Sequence, residues 1–540
     1  MDIKKIIRKR ILNIVLKTNR YRFFNLLYKM LYFIFIRLMY FMFQSMPEIK
    51  AAYIVHDLNS YDWVPGSSDI DIAVVVEDML ENRELIFLKR FWRKFRYMKN
   101  IFPFVSYGIG SIPICSISEF GTDGFGGTAE AWGMHKLSDW KLFYGIDTRN
   151  SFYIPRNRQY KTTLSNPLLF KTIWKHYLTP LIRNNKQFTT YLRKPSNGIK
   201  MIIKHIYIKE CDSFYKSETQ LFDYFYRKRD HAITQILDLI KRLEKSRYFV
   251  RNSNDAESIM TAFFYGAIRV TDRYCSDYLL NAKHATELKS ISAVPINKMI
   301  FRRSDMDAAL NILPKKNAYI KNIIHSPQTN QFPFELNNVK IGTDEIYIII
   351  DESISLEDFK DFIRNLREKV SNNDSFSRCN IFIETKNTLL AKEHSIGSHF
   401  ALHHFHLKKY GSCSHGTNIL QELRMPSLEK VREAIKRQLW VEYYRNIKSY
   451  PADFVIGKSH IMLQDRVHRL LSYRLFLEKE SSITSFDEVS ESYIANFSED
   501  SLTKEIERIC KIKPDFKITT DLCDKYYFII RSLLNKMSCP

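Results

Sequence analysis

Two carboxylates one residue apart, Asp69 and Asp71, stand at the head of the run Ile72-Ala73-Val74-Val75-Val76. β-Branched and small apolar residues in unbroken succession favour a buried strand. Side chains alternate faces along a strand, so both carboxylates are expected on one face while Ile70 and Ile72 point into the core. Two carboxylates held a few Å apart form a hard-oxygen donor set suited to Mg²⁺ (or Mn²⁺), which also accepts triphosphate oxygens. Phosphoryl and nucleotidyl transfer rest on positioning and charge neutralisation, and such a site supplies both. The plainer reading of the same residues is an acidic strand end facing solvent. Ser67 and Ser68, just upstream, either donate hydrogen bonds to phosphate or cap the turn before the strand.

The flanking sequence supplies elements to position this pair. Ala51-Ala52-Tyr53-Ile54-Val55 predicts a short strand, and a polar loop, His56 to Pro65, returns the chain into the acidic strand. This strand–loop–strand unit resembles the DNA polymerase β-like nucleotidyltransferase superfamily, with the match carried by Asp62-Trp63-Val64-Pro65-Gly66-Ser67-Ser68-Asp69-Ile70-Asp71. Downstream, Trp140-Lys141-Leu142-Phe143-Tyr144-Gly145-Ile146-Asp147 is similar to an element of the bacterial antibiotic-nucleotidyltransferase-like branch, and it too precedes a long helical region. The resemblance covers residues 51–150 and extends weakly beyond them. It implies an α+β fold with a mixed sheet, Mg²⁺ (or Mn²⁺) held by the catalytic carboxylates Asp69 and Asp71, and a nucleoside triphosphate as substrate. It also implies that Ser67 and Ser68 touch phosphate, that Tyr144, Gly145 and Asp147 edge the acceptor side, and that a helical domain completes the acceptor pocket.

Two features of the family are missing. Its Gly-Ser pair, which lets the backbone approach the triphosphate, falls at His56-Asp57, and only glycine makes that approach free of Cβ interference. Its third carboxylate belongs on a later strand, expected near Ile101–Ile114, where the chain reads IFPFVSYGIGSIPI without an acid. Glu119 is the nearest candidate for the third ligand and Asp57 a substitute. Ser116-x-Ser118-Glu119, however, also reads as a helix start with an acidic first turn.

At 540 residues the chain exceeds one core, and its apolar and charged contents, 45% and 26%, are those of a globular protein. The formal charge of +23 favours polyanionic partners (nucleoside triphosphates, RNA or an acidic membrane surface), although a generally Lys-rich surface gives the same total. No RGG, RNA-recognition or helix-turn-helix signature marks a dedicated nucleic-acid module. The eight cysteines include no CxxC pair, which argues against a disulfide framework or a zinc ribbon and suits the cytoplasm. The glycine-rich segment Gly121–Gly127 is not followed by the Lys-Ser/Thr of a P-loop and reads as a surface connection or a flexible loop over a nucleotide.

Near the N-terminus only Asn25, Lys29 and Arg37 interrupt an apolar, aromatic-rich run from Phe23 to Phe43, and Lys4, Lys5, Arg8, Lys9, Arg10, Lys17, Arg20 and Arg22 precede it. The length just spans a bilayer, but two internal charges make a span expensive. The positive-inside rule would also send the acidic strand away from nucleotides. A helix packed on the protein or lying peripherally on the inner face of a membrane fits better.

Residues 335–425 read as a degenerate repeat of the first domain. Ile341–Ser353 parallels Gly66–Asp78 only in its strand-forming run, since Asp344 and Glu345 are adjacent and face opposite sides. A helix start at Ser355, a strand over Cys379–Glu384 and the stretch Lys408–Asn418 follow in the order of the first copy. Two unrelated units of similar pattern would look the same. Within the repeat, His399 and His403 are spaced i, i+4 in a cluster with His394, His404, His406, Cys413 and His415, but no HExxH glutamate accompanies them.

The expected organisation is an N-terminal basic apolar helix (1–48), a nucleotidyltransferase domain (51–150), a helical domain (160–330), a degenerate nucleotidyltransferase-like domain (335–425) and a C-terminal helical domain (426–540). The leading function is Mg²⁺-dependent transfer of a nucleoside monophosphate from an NTP to a hydroxyl or phosphate. The alternative is a catalytically silent relative that binds nucleotide, RNA or membrane as a scaffold.

Overall fold

The computed structural model describes residues 10–11, 14–19, 21–54, 65, 70, 72–101, 112, 114–120, 140–151, 182, 192–211, 218–246, 248, 250, 253–282, 310–313, 317–326, 334–336, 339–341, 344–391, 407–408, 411–423, 431–432, 435–436, 439, 443, 448, 461–479, 486–512 and 518–537. The chain divides into two compact units, residues 1–159 with 436–478 and 490–540, and residues 160–435 with 479–489.

The first unit opens with helix α1 (Arg22–Gln44) and strand β1 (Ile49–Ile54). Strand β2 (Ile72–Val76), helix α2 (Glu81–Ile101) and strand β3 (Ile114–Ser116) follow. A one-turn helix, α3 (Ile117–Phe120), and strand β4 (Lys141–Gly145) complete the run. The sheet order is β3-β2-β1-β4, with β2 antiparallel to β1 and parallel to β3, and β4 antiparallel to β1. All five residues of β2 are buried, which is why they read as one apolar run rather than an alternation: a central strand covered on both faces has no polar side. Helix α2 places Leu88, Phe91, Trp92 and Phe95 at i, i+3, i+4 and i+7, all buried. The helix starts at Glu81, four residues after Glu77. Glu77 and Asp78 are used otherwise, the first paired with Lys50 at 3.0 Å and the second accepting from the Ser118 hydroxyl at 2.6 Å.

The second unit holds helices α4 (Arg193–Cys211), α5 (Glu218–Lys228), α6 (His231–Lys245) and α7 (Ser253–Ala282). Strands β5 (Ile320–Ser326), β6 (Phe334–Leu336), β7 (Val339–Ile341) and β8 (Asp344–Ile350) come next. They are followed by helix α8 (Leu356–Ser371), strand β9 (Cys379–Thr385), helix α9 (Lys386–Ala391) and strand β10 (Ser412–His415). Helix α8 starts where the sequence predicts, with the Ser355 side chain accepting from the Asp358 N–H. Strand β5 lies within the stretch read as helical, 160–330; its run Ile320 to Ser326 is buried at six of seven positions and is a central strand.

The main sheet of this unit has the order β10-β5-β8-β9. Its β5–β8 pair is antiparallel, β8–β9 parallel and β5–β10 antiparallel. Strand for strand this is the arrangement of the first sheet, with β5, β8, β9 and β10 standing for β1, β2, β3 and β4. The correspondence extends to the irregularities. Each sheet carries a register shift after the first residue of its central antiparallel pair, between Ile49 and Ala51 and between Ile320 and Asn322. Each has a second shift against the outer antiparallel strand. The bulged residue is a lysine in both cases, paired with the acid that follows the next strand: Lys50 with Glu77 at 3.0 Å and Lys321 with Asp351 at 2.6 Å.

The C-terminal part of the first unit includes helices α10 (Ile461–Lys479), α11 (Ser501–Cys510) and α12 (Thr520–Lys536). In α10 Val467, Leu470, Leu471, Tyr473, Leu475 and Phe476 are buried and belong to the core.

Candidate active site

The candidate site is built around the start of β2. Ile72, its first residue, pairs with Ile54 at the end of β1, and Ile54 pairs in turn with Lys141 at the start of β4. Ile70 and Ile72 are fully buried, as are Ala73 and Val75 on the opposite face. Upstream, the carbonyl of Pro65 accepts from the Asn19 amide at 3.1 Å, fixing the approach to the strand. Asp69, Asp71, Ser67, Ser68 and Asp57 lie outside the described residues, as do the histidines at 394, 399, 403, 404 and 406. Among the described residues no group of three or more His, Cys, Asp or Glu is arranged to hold a metal ion.

Glu119, the nearest candidate for a third ligand, is engaged elsewhere. It follows β3, and the parallel register sets Ser116 opposite Val76, the last residue of β2. Ile72 begins the strand at its other end, roughly 13 Å from Val76 at 3.3 Å per residue. Glu119 instead closes a capping box on α3: the Ser116 N–H donates to its carboxylate at 2.8 Å, and its own N–H donates to the Ser116 hydroxyl at 3.3 Å. The helix-start reading of Ser116-x-Ser118-Glu119 is therefore the structural one.

The same carboxylate belongs to a buried ionic cluster. Tyr443 donates its hydroxyl hydrogen to Glu119, and the Lys448 ammonium lies 3.3 Å from it. Lys448 also donates to Glu84 on α2, which accepts from Tyr527 on α12 at 2.9 Å and lies 3.9 Å from Arg531. The indole N–H of Trp92 donates to the Lys448 carbonyl at 2.9 Å. Two carboxylates thus face two cations with no charge left over, the condition for keeping ions out of water at tolerable cost. Burial pushes the Glu84 carboxyl up, but the charges of Lys448 and Arg531 outweigh it and the net shift is downward. Burial alone would pull the Lys448 ammonium down, yet Glu119 and Glu84 hold it well above the ordinary lysine range. Glu84 and Lys448 are thereby held charged, and the pairing of the cluster makes it a fastening between α2, α3 and the C-terminal helices. Nothing local in the sequence marks it, since Lys448 and Glu84 stand 364 residues apart.

Tyr144, Gly145 and Asp147 lie along and after β4. Asp147 receives the Arg149 side chain at 2.6 and 2.9 Å and the Tyr53 hydroxyl at 3.1 Å. The hydrogen bonds from Arg149 hold its carboxyl well below the usual carboxylate range. Arg149 also reaches the Trp140 carbonyl at 2.6 Å, so Asp147 locks the end of β4 to the sheet. Gly145 has φ +80°, and a Cβ there would meet the Lys50 carbonyl oxygen at 1.9 Å. Only glycine permits that approach. Tyr144 packs edge-on against Tyr40 and Phe43 of α1 at 5.5 and 5.8 Å.

In the second sheet Ile346 pairs with His325 as Ile72 pairs with Ile54, so Glu345 precedes β8's core run as Asp71 precedes that of β2. Thr343 falls in the place of Asp69. The second sheet therefore keeps one acid of the pair, and Glu345 accepts from its neighbour Tyr347 at 2.6 Å. On the third strand, register sets Cys115 opposite Val75 and Glu384 opposite Ile349, so neither β3 nor its first-sheet neighbours offer a carboxylate where the second sheet has one. Cys115 is buried, with its sulfur 3.6 Å from the Val74 carbonyl.

No family model matches the chain, and no curated protein matches it. Among solved structures, spectinomycin adenyltransferase AAD(9) from Enterococcus faecialis, crystallised with ATP and spectinomycin, is similar at 12% identity, with 44% of this chain and 100% of that one covered and a TM-score of 0.30.

Proposed function

We propose that the first unit is a nucleotidyltransferase that moves a nucleoside monophosphate from an NTP to a hydroxyl or phosphate acceptor. What supports the reading is the fully buried central strand β2, lying between an antiparallel β1 and a parallel β3, which the sequence Asp69-x-Asp71 immediately precedes. A rigid strand is what a metal-binding carboxylate pair needs behind it. The acceptor oxygen attacks the α-phosphorus, the bond from that phosphorus to the β-bridging oxygen breaks, and pyrophosphate leaves. Asp69 and Asp71 supply hard anionic oxygens that fit Mg²⁺ or Mn²⁺, with Asp57 as a further oxygen donor, and the bound ion would neutralise phosphate charge. Ser67 and Ser68 donate to phosphate oxygens.

The second sheet, on this reading, is a degenerate copy that arose by internal duplication and no longer binds a metal pair. Its support is the shared strand order, the shared bulges and the retention of one acid only.

A second reading, a catalytically silent scaffold that keeps nucleotide binding, is favoured by the absence of an acid from β3 and by the commitment of Glu119 to a buried ion cluster. Incubation with each α-labelled NTP and Mg²⁺ or Mn²⁺, beside the Asp69→Asn/Asp71→Asn variant, separates the two. Pyrophosphate release and label transfer that vanish in the variant are the enzyme's result. NTP binding without turnover in any cell extract is the scaffold's.

A further inference from the structure

A helix that packs on a folded domain needs one apolar face, and α1 has two. Its inner face, with Tyr32, Phe35, Met39, Met42 and Phe43, is buried. Phe43 there stacks on Phe91 of α2 at 6.1 Å and meets Phe143 and Tyr144 of β4 at 5.6 and 5.8 Å. The outer face carries Phe23, Leu26, Met30, Phe33, Leu38 and Phe41, all exposed, with Phe23 at 72% and Leu26 at 61%. With Arg37 between Phe33 and Phe41 the series 23, 26, 30, 33, 37 and 41 runs in steps of three or four, which makes one continuous stripe along the helix with Leu38 at its edge. An apolar stripe of this length on a soluble protein marks a surface that something covers.

Charge identifies what covers it. From Ile3 to Pro47 the chain contains no Asp or Glu, while Arg10, Lys17, Arg22 and Arg37 are exposed. Arg37 rises from within the stripe itself, its guanidinium 5.2 Å from the Tyr40 ring centre and 5.3 Å from that of Phe41. Its aliphatic stem suits an apolar layer and its head a layer of phosphates just above it. A second copy of the helix would bring the same uncompensated cations face to face. Crossing a bilayer would require withdrawing the inner face from the sheet and drawing Lys29 and Arg37 through hydrocarbon.

We propose that α1 lies in the plane of an anionic lipid surface, with its outer stripe among the acyl chains, its cations among the lipid phosphates, and its inner face still packed on the first unit. Amphipathic helices of this composition bind in that way, at about fivefold in affinity per cation near the surface.

Flotation of the full-length protein with vesicles of phosphatidylcholine alone, or with about one-third phosphatidylglycerol, tests this. Wild-type protein should float with the anionic vesicles, be released by 0.5 M salt or alkaline carbonate, and float poorly with neutral vesicles. Leu26→Asp/Phe33→Asp, which alters only exposed positions, should lose flotation by a hundredfold or more while its thermal melt is unchanged. Arg22→Gln/Arg37→Gln should lose ten- to thirtyfold on anionic vesicles and little on neutral ones. Resistance to carbonate extraction would overturn the proposal in favour of a span. Failure to float with the anionic vesicles would overturn it, and a concentration-dependent dimer that Leu26→Asp/Phe33→Asp abolishes would then assign the stripe to self-association.

Discussion

Gly145 and Gly416 occupy the same place in two separate sheets. Both have left-handed backbones, φ +80° and +81°, and at both a Cβ would fall 1.9 Å from a lysine carbonyl oxygen, that of Lys50 or Lys321. Gly145 ends, and Gly416 directly follows, the outer antiparallel strand of its sheet, each lying against the bulged lysine.

Gly145→Ala and Gly416→Ala should each destabilise their own unit by at least about 2 kcal/mol, because alanine adds left-handed strain and a backbone collision that no rotamer relieves. Hydrogen exchange is the measurement. Protection should fall in β1 and β4 for the first variant and in β5 and β10 for the second.

Removing the Lys448 ammonium strands two buried carboxylates. Lys448→Met should cost about 3–5 kcal/mol in denaturant unfolding of the first unit. Adding Glu84→Gln and Glu119→Gln should recover part of that loss, since the unpaired charges go with them. The Glu84 shift also sets a pH dependence. Its folded carboxyl titrates below the unfolded value, so its contribution is fully present above about pH 4.5 and is lost as pH falls through the lower folded value.

His468, on α10, is buried and its imidazole is pulled down to about 3 by burial and by the neighbouring Arg469. It is neutral in the fold but takes a proton in the unfolded chain below about pH 6.5. Stability should therefore fall by about 1.4 kcal/mol per pH unit from that value towards pH 3. His468→Gln should flatten this part of a pH series of urea melts.

Glu119→Gln separates ligand from fastening. With Glu119 in the ion cluster, the variant should lower the melting temperature by several degrees, while the Mg²⁺ concentration for half-maximal pyrophosphate release stays unchanged. Asp69→Asn should do the reverse, reducing turnover by a thousandfold or more with little change in melting.

Thiol reactivity offers a check on the two sheets. Cys115 is buried on β3, and burial pushes its thiol up well above the ordinary value, so it should resist alkylation until the first unit unfolds. Cys413 on β10 is only half-buried and should react in the native protein.

What the sequence disclosed was local. The run Ile72–Val76 announced a buried strand because continuous burial leaves a continuous apolar record, and Ser355 announced α8 because a cap must be a short polar side chain. The shared order of strand, helix and glycine turn in the two stretches was legible too, and the two sheets share a strand order. Strand β5 was harder to see, because Lys321, Asn322 and His325 interrupt its isoleucines and made the stretch resemble the helices before it. Glu119 looked available because its partners, Tyr443 and Lys448, come from the far end of the chain. A residue's nearest neighbours in sequence reveal its cap but not the counter-ion that folding delivers from several hundred residues away.

That delivery has a consequence for synthesis. The chain leaves the first unit near residue 159 and returns to it at 436, after the whole body of the second. Glu84 emerges from a ribosome 364 residues ahead of Lys448, a delay of about 20–70 s at ordinary elongation rates. During that interval the nascent first unit would lack its ionic fastening and the C-terminal helix that bonds to α2, while the second unit is almost complete. The last domain to close would be the one that began first, and its waiting surface is a natural client for a chaperone.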